Sequence, residues 1–120
     1  MNPAELFSHE SNPLRLAPHE VRFKTGDFGN SMYVVLEGAL DILVSDQPVR
    51  TSTRGDIIGE LALIDEAPRS ATVVAREASV LVKVDAARFQ RLIQQNPFFA
   101  MHVMKVLADR IRSVDQLRAQ

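Results

Sequence analysis

The sequence contains no cysteine. Disulfides, thiolate metal sites and a cysteine nucleophile are therefore excluded. It also lacks any excess of positive charge: 14 Lys and Arg against 15 Asp and Glu leave a net charge of −1. A nucleic-acid-binding surface normally shows a basic footprint, so no direct nucleic-acid partner is expected. No apolar run approaches the roughly 18 residues that a membrane span needs. The N-terminus carries Glu5, Ser8, His9 and Glu10, with no apolar core of signal-peptide length. The three histidines, His9, His19 and His102, lie far apart in the sequence, with no His-x-His or His-x-x-x-His spacing. A metal-dependent enzyme on a β-roll would need two or more converging ligands, so neither a metal nor an enzyme is expected. Gly-x-Ser-x-Gly and Gly-x-x-x-x-Gly-Lys motifs are missing as well, which removes two further catalytic classes. The expectation from these absences is a soluble, cytoplasmic protein without a cofactor.

What is present is enough for one core. A chain of 120 residues with 46% hydrophobic and 24% charged residues has the length and composition of a single globular domain. Residues 1–13 form a weakly patterned N-terminal segment, ended by Asn12-Pro13, with Leu6 and Phe7 able to pack and fraying as the alternative. Residues 14–120 form the domain proper. Leu14–Ala17 and Val21–Phe23 read as short strands, followed by a turn with two glycines at Lys24–Asn30. Met32–Leu36 is a continuous apolar run, and Leu40, Ile42 and Val44 then alternate with Asp41, Leu43 and Ser45. Two strands around Glu37-Gly38 predict a hairpin. Further short strands are predicted near 49–53, 72–76 and 80–85. At Asp85 the period changes, predicting a helix over 86–95 with Asp85 as its cap. Asn96-Pro97 starts a second, longer helix, with Ala100, Met104, Leu107, Ile111 and Val114 as its apolar stripe. The fold class is therefore α+β: an antiparallel β-roll of the jelly-roll, two-layered type, with a short central helix and C-terminal helices.

Between the two sets of strands lies Ile57-Ile58-Gly59-Glu60-Leu61-Ala62-Leu63-Ile64-Asp65-Glu66-Ala67-Pro68-Arg69-Ser70-Ala71-Thr72. The stretch is expected to be a solvated loop in which residues 60–64 form one helical turn with unpaired, electropositive N–H groups at its start. Those donors, with the fork of Arg69, suit a phosphate, and ionised Glu60 suits ligand hydroxyls. The bland alternative is a surface ion pair contributing about 0–1 kcal/mol.

The stretch resembles the phosphate-binding cassette of the cyclic nucleotide-binding domain family. That pattern is an apolar residue, Gly-Glu, one residue, a small residue, an aliphatic residue, a spacer, then Arg-Ser/Thr/Ala-Ala. Here it reads Ile58-Gly59-Glu60-Leu61-Ala62-Leu63, five residues, then Arg69-Ser70-Ala71-Thr72-Val73. Gly26-Asp27-Phe28-Gly29-Asn30-Ser31-Met32-Tyr33-Val34-Val35-Leu36-Glu37-Gly38 matches the family's glycine-framed segment, and the resemblance covers roughly residues 14–115. It implies that Arg69 pairs with the exocyclic phosphate oxygens and Glu60 with the ribose 2′-hydroxyl. It further implies that Gly59, Leu61 and Ala62 surround the ribose and phosphate, that Ser70 adds a hydroxyl, and that Ala71 brings its N–H to the phosphate. Ser70, where threonine tends to favour cyclic GMP, implies cyclic AMP as the preferred ligand and cyclic GMP as the second.

Similar bacterial activators read adenine with a Thr-Ser pair on the long helix. This chain has Ser113-Val114-Asp115 there, which leaves Arg112 and Asp115 as the candidate base contacts. The chain ends at Gln120 without a helix-turn-helix, kinase, channel or transferase segment. A stand-alone sensor or the sensor part of a longer receptor is expected, acting through a homodimer or an effector protein at the C-terminal helix. The rival reading on the same fold is a protein-interaction module that no longer binds nucleotide.

Overall fold

The computed structural model describes the backbone of residues 2–119 and the side chains of residues 2–112. The chain divides into two compact units, Met1–Ala86 and Ala87–Gln120. The first unit opens with a short 3₁₀ turn, Pro3–Phe7, whose first N–H groups are capped by Asn2: its side-chain oxygen accepts from Ala4 N–H at 2.9 Å. Ala4 and Phe7 are buried and the turn packs on the third strand. Of the two outcomes open for the N-terminal segment, packing is the one seen.

Eight strands follow: β1 (Leu14–Leu16), β2 (Val21–Phe23), β3 (Ser31–Glu37), β4 (Leu40–Val44), β5 (Gln47–Ser52), β6 (Ile57–Ile58), β7 (Thr72–Ala75) and β8 (Ser79–Asp85). A single helical turn, α1 (Leu61–Ile64), lies between β6 and β7. The strands form two four-stranded antiparallel sheets, in the orders β1-β8-β3-β6 and β2-β7-β4-β5. Antiparallel pairing is nested: β1 with β8, β2 with β7, β3 with β6 and β4 with β5. This is a β-roll, and its core of Leu16, Tyr33, Val35, Leu40, Ile42, Ile58, Val73, Ala75 and Leu81 is supplied by both sheets.

The expected β3–β4 hairpin does not form. β3 pairs with β6 and β8, whereas β4 pairs with β5 and β7, so the turn at Glu37-Gly38 carries the chain from one sheet to the other. Met32–Val35 are all buried. A strand apolar on both faces belongs inside a sheet with a neighbour on each side, and β3 meets that need with β6 and β8. The Ala39 carbonyl beyond the turn accepts from Arg76 N–H at 2.9 Å and Ser79 Oγ at 3.3 Å. The hairpin lies one step later, β4 to β5, through Ser45 and Asp46 at φ 51° and 64°. Two consecutive positive φ values are what a type I′ turn requires.

Two helices follow, α2 (Ala86–Gln95) and α3 (Pro97–Ala119), which apart from Ala86 belong to the second unit. α2 begins directly where β8 ends, at the predicted change of period. Phe89 and Phe99 meet edge-to-face, with centroids 6.2 Å apart and planes at 69°, a favoured aromatic geometry. Among the described residues of α3, Phe99 and Val103 are buried, whereas Met104 and Ile111 are 56% and 62% exposed. Phe99 and Val103 each lie one residue before the expected Ala100 and Met104 of the stripe. Val114 of that stripe lies outside the described side chains. Among the described residues no helix is long and apolar enough to cross a membrane.

Candidate functional site

Nesting explains how the site is assembled. Because β2 pairs with β7 and β3 with β6, the β2–β3 loop and the β6–β7 segment leave the two sheets at the same end. Hydrogen bonds tie them together, among them one between the Thr25 and Thr72 hydroxyls at 3.2 Å. Gly26 N–H donates to the Arg69 carbonyl at 2.8 Å, and Arg69 N–H donates to the Asp27 carbonyl at 2.8 Å. Thr25 N–H donates to Thr72 Oγ1 at 3.0 Å. The backbone of Arg69 is therefore clamped on both sides by a loop more than 40 residues earlier in the chain.

The stretch 57–72 is solvated only in part: Ile64, Asp65, Glu66, Pro68 and Ser70 are exposed, whereas Ile57, Ile58, Glu60, Ala62 and Arg69 are buried. β6 draws its start into a sheet against Tyr33 and Val34. Glu60 is 1% exposed, Arg69 is 7% exposed and Ala62 is buried. Gly59 adopts φ 76°, in the left-handed region where a Cβ is strained, and its carbonyl is turned back toward the site. That carbonyl accepts from Arg69 Nη1 at 3.1 Å and lies 3.3 Å from Ala62 N–H. The helical turn α1 starts after Glu60, and the Ala62 N–H, expected to be unpaired, is directed at Gly59. Leu61 is exposed, Ser70 is exposed beside Arg69, and Ala71 is partly buried against the core.

The Arg69 guanidinium lies over an aromatic pair. Its Cζ is 4.1 Å from the Phe23 ring centre and 6.0 Å from that of Tyr33. The two rings are themselves 6.2 Å apart. Burial lowers the Arg69 pKa below the usual arginine value; Tyr33 and Asp27 oppose this, and Arg22 adds to it. Arginine still remains cationic at neutral pH. A cleft of about 260 Å³ opens here, lined by Arg22, Phe23, Asp27, Gly29, Tyr33 and Arg69 among others. A buried guanidinium on the wall of such a cleft is chemically suited to an anion, because its fork stays charged in a partly desolvated place. The surface-ion-pair reading fails on burial alone.

Arg69 is thus brought to Gly59 by a hydrogen bond, and Glu60 and Ala62 follow Gly59 at the start of α1. Of these residues Arg69 alone lines the cleft, with Ser70 and Ala71 next to it in the chain. Arg112 is on α3, exposed and ion-paired with Asp109 one turn earlier. The side chain of Asp115 lies outside the described residues. Phe23, Gly29 and Arg22 were not singled out from the sequence as site residues. The glycine pair at 26 and 29 was a signal for a special turn, but nothing local linked it to Arg69. Among the described residues no group of three or more His, Cys, Asp or Glu is placed to hold a metal ion.

The family model described as the cyclic nucleotide-binding domain matches residues 13–96. The chain belongs to the cyclic nucleotide-binding domain family. A cAMP-dependent protein kinase regulatory subunit from Blastocladiella emersonii is 40% identical to this cyclic nucleotide-binding domain over 87 residues, 68% of the chain and 22% of that protein. The domain therefore spans under a quarter of that relative's length. The crystal structure of the Thermus thermophilus catabolite activator protein is similar with a TM-score of 0.78 at 25% identity, over 92% of this chain and 59% of that one. A structure from a cyclic-GMP-dependent signalling pathway that regulates bacterial phytopathogenesis gives a TM-score of 0.77 at 26% identity, covering 94% and 95% of the two chains. The β-roll of this cyclic nucleotide-binding domain is the fold those structures share.

Proposed function

We propose that this regulatory domain binds cyclic AMP in preference to cyclic GMP, with the cyclic phosphate on Arg69 and the ribose 2′-hydroxyl on Glu60. The observation that carries this reading is the burial of Arg69 against Phe23 and Gly59 at the mouth of a cleft, with buried Glu60 in the adjoining turn. A cyclic phosphate carries one negative charge, which one desolvated guanidinium and nearby N–H groups match. Gly59, Leu61 and Ala62 would surround the sugar and phosphate, and Ser70 and Ala71 would complete the phosphate side. The binding domain is taken as residues 14–120, preceded by an N-terminal segment of residues 1–13. Serine rather than threonine after the arginine supports cyclic AMP, as does the relative whose name makes it cAMP-dependent. The similarity to a structure from a cyclic-GMP-dependent pathway keeps cyclic GMP as the second ligand.

Ligand binding is further proposed to shift the C-terminal helices, with Arg112 and Asp115 as base contacts. The output would pass to a second copy or an effector protein through α3. A ligand can bias such an equilibrium only by its differential affinity for the two states. Calorimetric titration with both nucleotides tests the reading. Tighter cyclic AMP binding is expected; tighter cyclic GMP binding overturns the base preference, and no binding of either overturns the ligand assignment.

A further inference from the structure

The Arg69 guanidinium rests against two glycines as well as an aromatic ring. A Cβ at Gly29 would stand 2.5 Å from Nη2 and 2.8 Å from both Cζ and Nε of Arg69. At Gly59 a Cβ would stand 2.5 Å from Nη1. These distances lie well inside van der Waals contact, so either methyl group would push the guanidinium out of its place. The two glycines differ in one respect. Gly59 also has a positive φ, whereas Gly29 does not. An alanine at 29 meets no positive-φ strain, and its three nearest neighbours all belong to the far end of a flexible side chain. Gly26, in the same loop, is the reverse case: its φ is 89°, and a Cβ there would touch nothing within 4 Å.

We propose that Gly29 is a positioning residue for the anion site: its bare Cα is the wall that, with Gly59 and the Phe23 ring, holds the Arg69 guanidinium in the cleft. Gly29 is then part of the binding machinery, although its contact with the ligand runs through Arg69. This rests on the reading of Arg69 as the phosphate-binding group. The loop and the arginine are already tied together by the backbone bonds of Arg69 to Gly26 and Asp27. The missing side chain at 29 sets where the charged tip lies.

The test uses the full chain as Gly29→Ala, Gly26→Ala, Arg69→Lys and the double variant Gly29→Ala/Arg69→Lys. Two quantities are read: the Arg69 Nε–H resonance without ligand, which the Phe23 ring current shifts, and the affinity for cyclic AMP. Gly29→Ala is expected to keep a cooperative melt, move the Nε–H resonance and weaken binding about ten- to hundredfold, the range for losing one hydrogen bond to a charged group. In the Arg69→Lys background the same change should have little further effect, because effects that act through one group do not add. Gly26→Ala should lower the melting temperature and leave the Nε–H resonance in place. Unchanged resonance and affinity in Gly29→Ala, fully additive losses in the double variant, or an equal affinity loss in Gly26→Ala each overturn the proposal. Should Gly29→Ala fail to fold, recovery in Gly29→Ala/Arg69→Ala supports the clash and failure of both overturns it. If the unmodified chain binds no cyclic nucleotide, the functional reading fails while the ligand-free resonance still decides the role of Gly29.

Discussion

The guanidinium carbon of Arg69 stands 4.1 Å from the centre of the Phe23 ring, and Arg69 Nη1 donates to the Gly59 carbonyl at 3.1 Å. The ring gives the cation an attractive, water-excluding floor. The carbonyl gives it one hydrogen-bond partner that a phosphate oxygen would replace or share. Both features orient a charge before any ligand arrives, which reduces the ordering that binding would otherwise demand.

Replacing Phe23 by leucine keeps an apolar floor and removes the π face. The expected loss is about 1 kcal/mol of cyclic nucleotide affinity, roughly fivefold, with little change in melting temperature. Calorimetry on Phe23→Leu checks it, and an unchanged affinity would remove the aromatic floor from the account.

Glu60→Gln preserves shape and removes the carboxylate. If the carboxylate accepts from the ribose 2′-hydroxyl, affinity for cyclic AMP should fall by about 1.5–3 kcal/mol. Affinity for its 2′-deoxy analogue should change far less. Titrating both ligands against both proteins isolates that one hydrogen bond; parallel losses would place Glu60 in a structural role.

Leu40 is completely buried between the sheets, within the core cluster that includes Ile42, Val73 and Ala75. Leu40→Ala should cost about 2–5 kcal/mol of unfolding free energy through lost transfer and a residual cavity. Chemical denaturation reads this directly. Ligand affinity in the protein that remains folded should stay close to that of the unmodified chain, because Leu40 is not among the residues lining the cleft.

Hydrogen exchange over residues 86–119, with and without cyclic AMP, tests the proposed response of the helices. Slower exchange in the bound state is expected, and identical protection would rule the movement out.

Local patterns were legible wherever their physical cause was local. The apolar run 32–36, the alternation at 40–44 and the change of period at Asp85 correspond to β3, β4 and the β8–α2 junction. Pairing was less legible, because it depends on partners distant in the chain. The turn at Gly38 looked like a hairpin, yet β3 needed β6 and β8 as neighbours to cover an apolar strand. β6 has only two residues and leaves no periodic trace. The cassette at 58–73 was readable as a motif, but its burial was not. Burial follows from the nested pairing that sets the β2–β3 loop against Arg69. For the same reason Phe23 and Gly29, each ordinary in its own segment, gain meaning only beside a residue 40 or more positions away. In α3 the buried residue near the start is Phe99, which meets Phe89, one position before the expected Ala100.

The most direct measurement is the cyclic AMP affinity of Arg69→Ala beside that of the unmodified chain, by calorimetry on protein shown to be folded by its melting curve. Loss of a desolvated charge partner should cost about 2–5 kcal/mol, or roughly 30- to several-thousand-fold in affinity. A folded Arg69→Ala that binds cyclic AMP as tightly as the unmodified chain would contradict the assignment of Arg69 as the phosphate site.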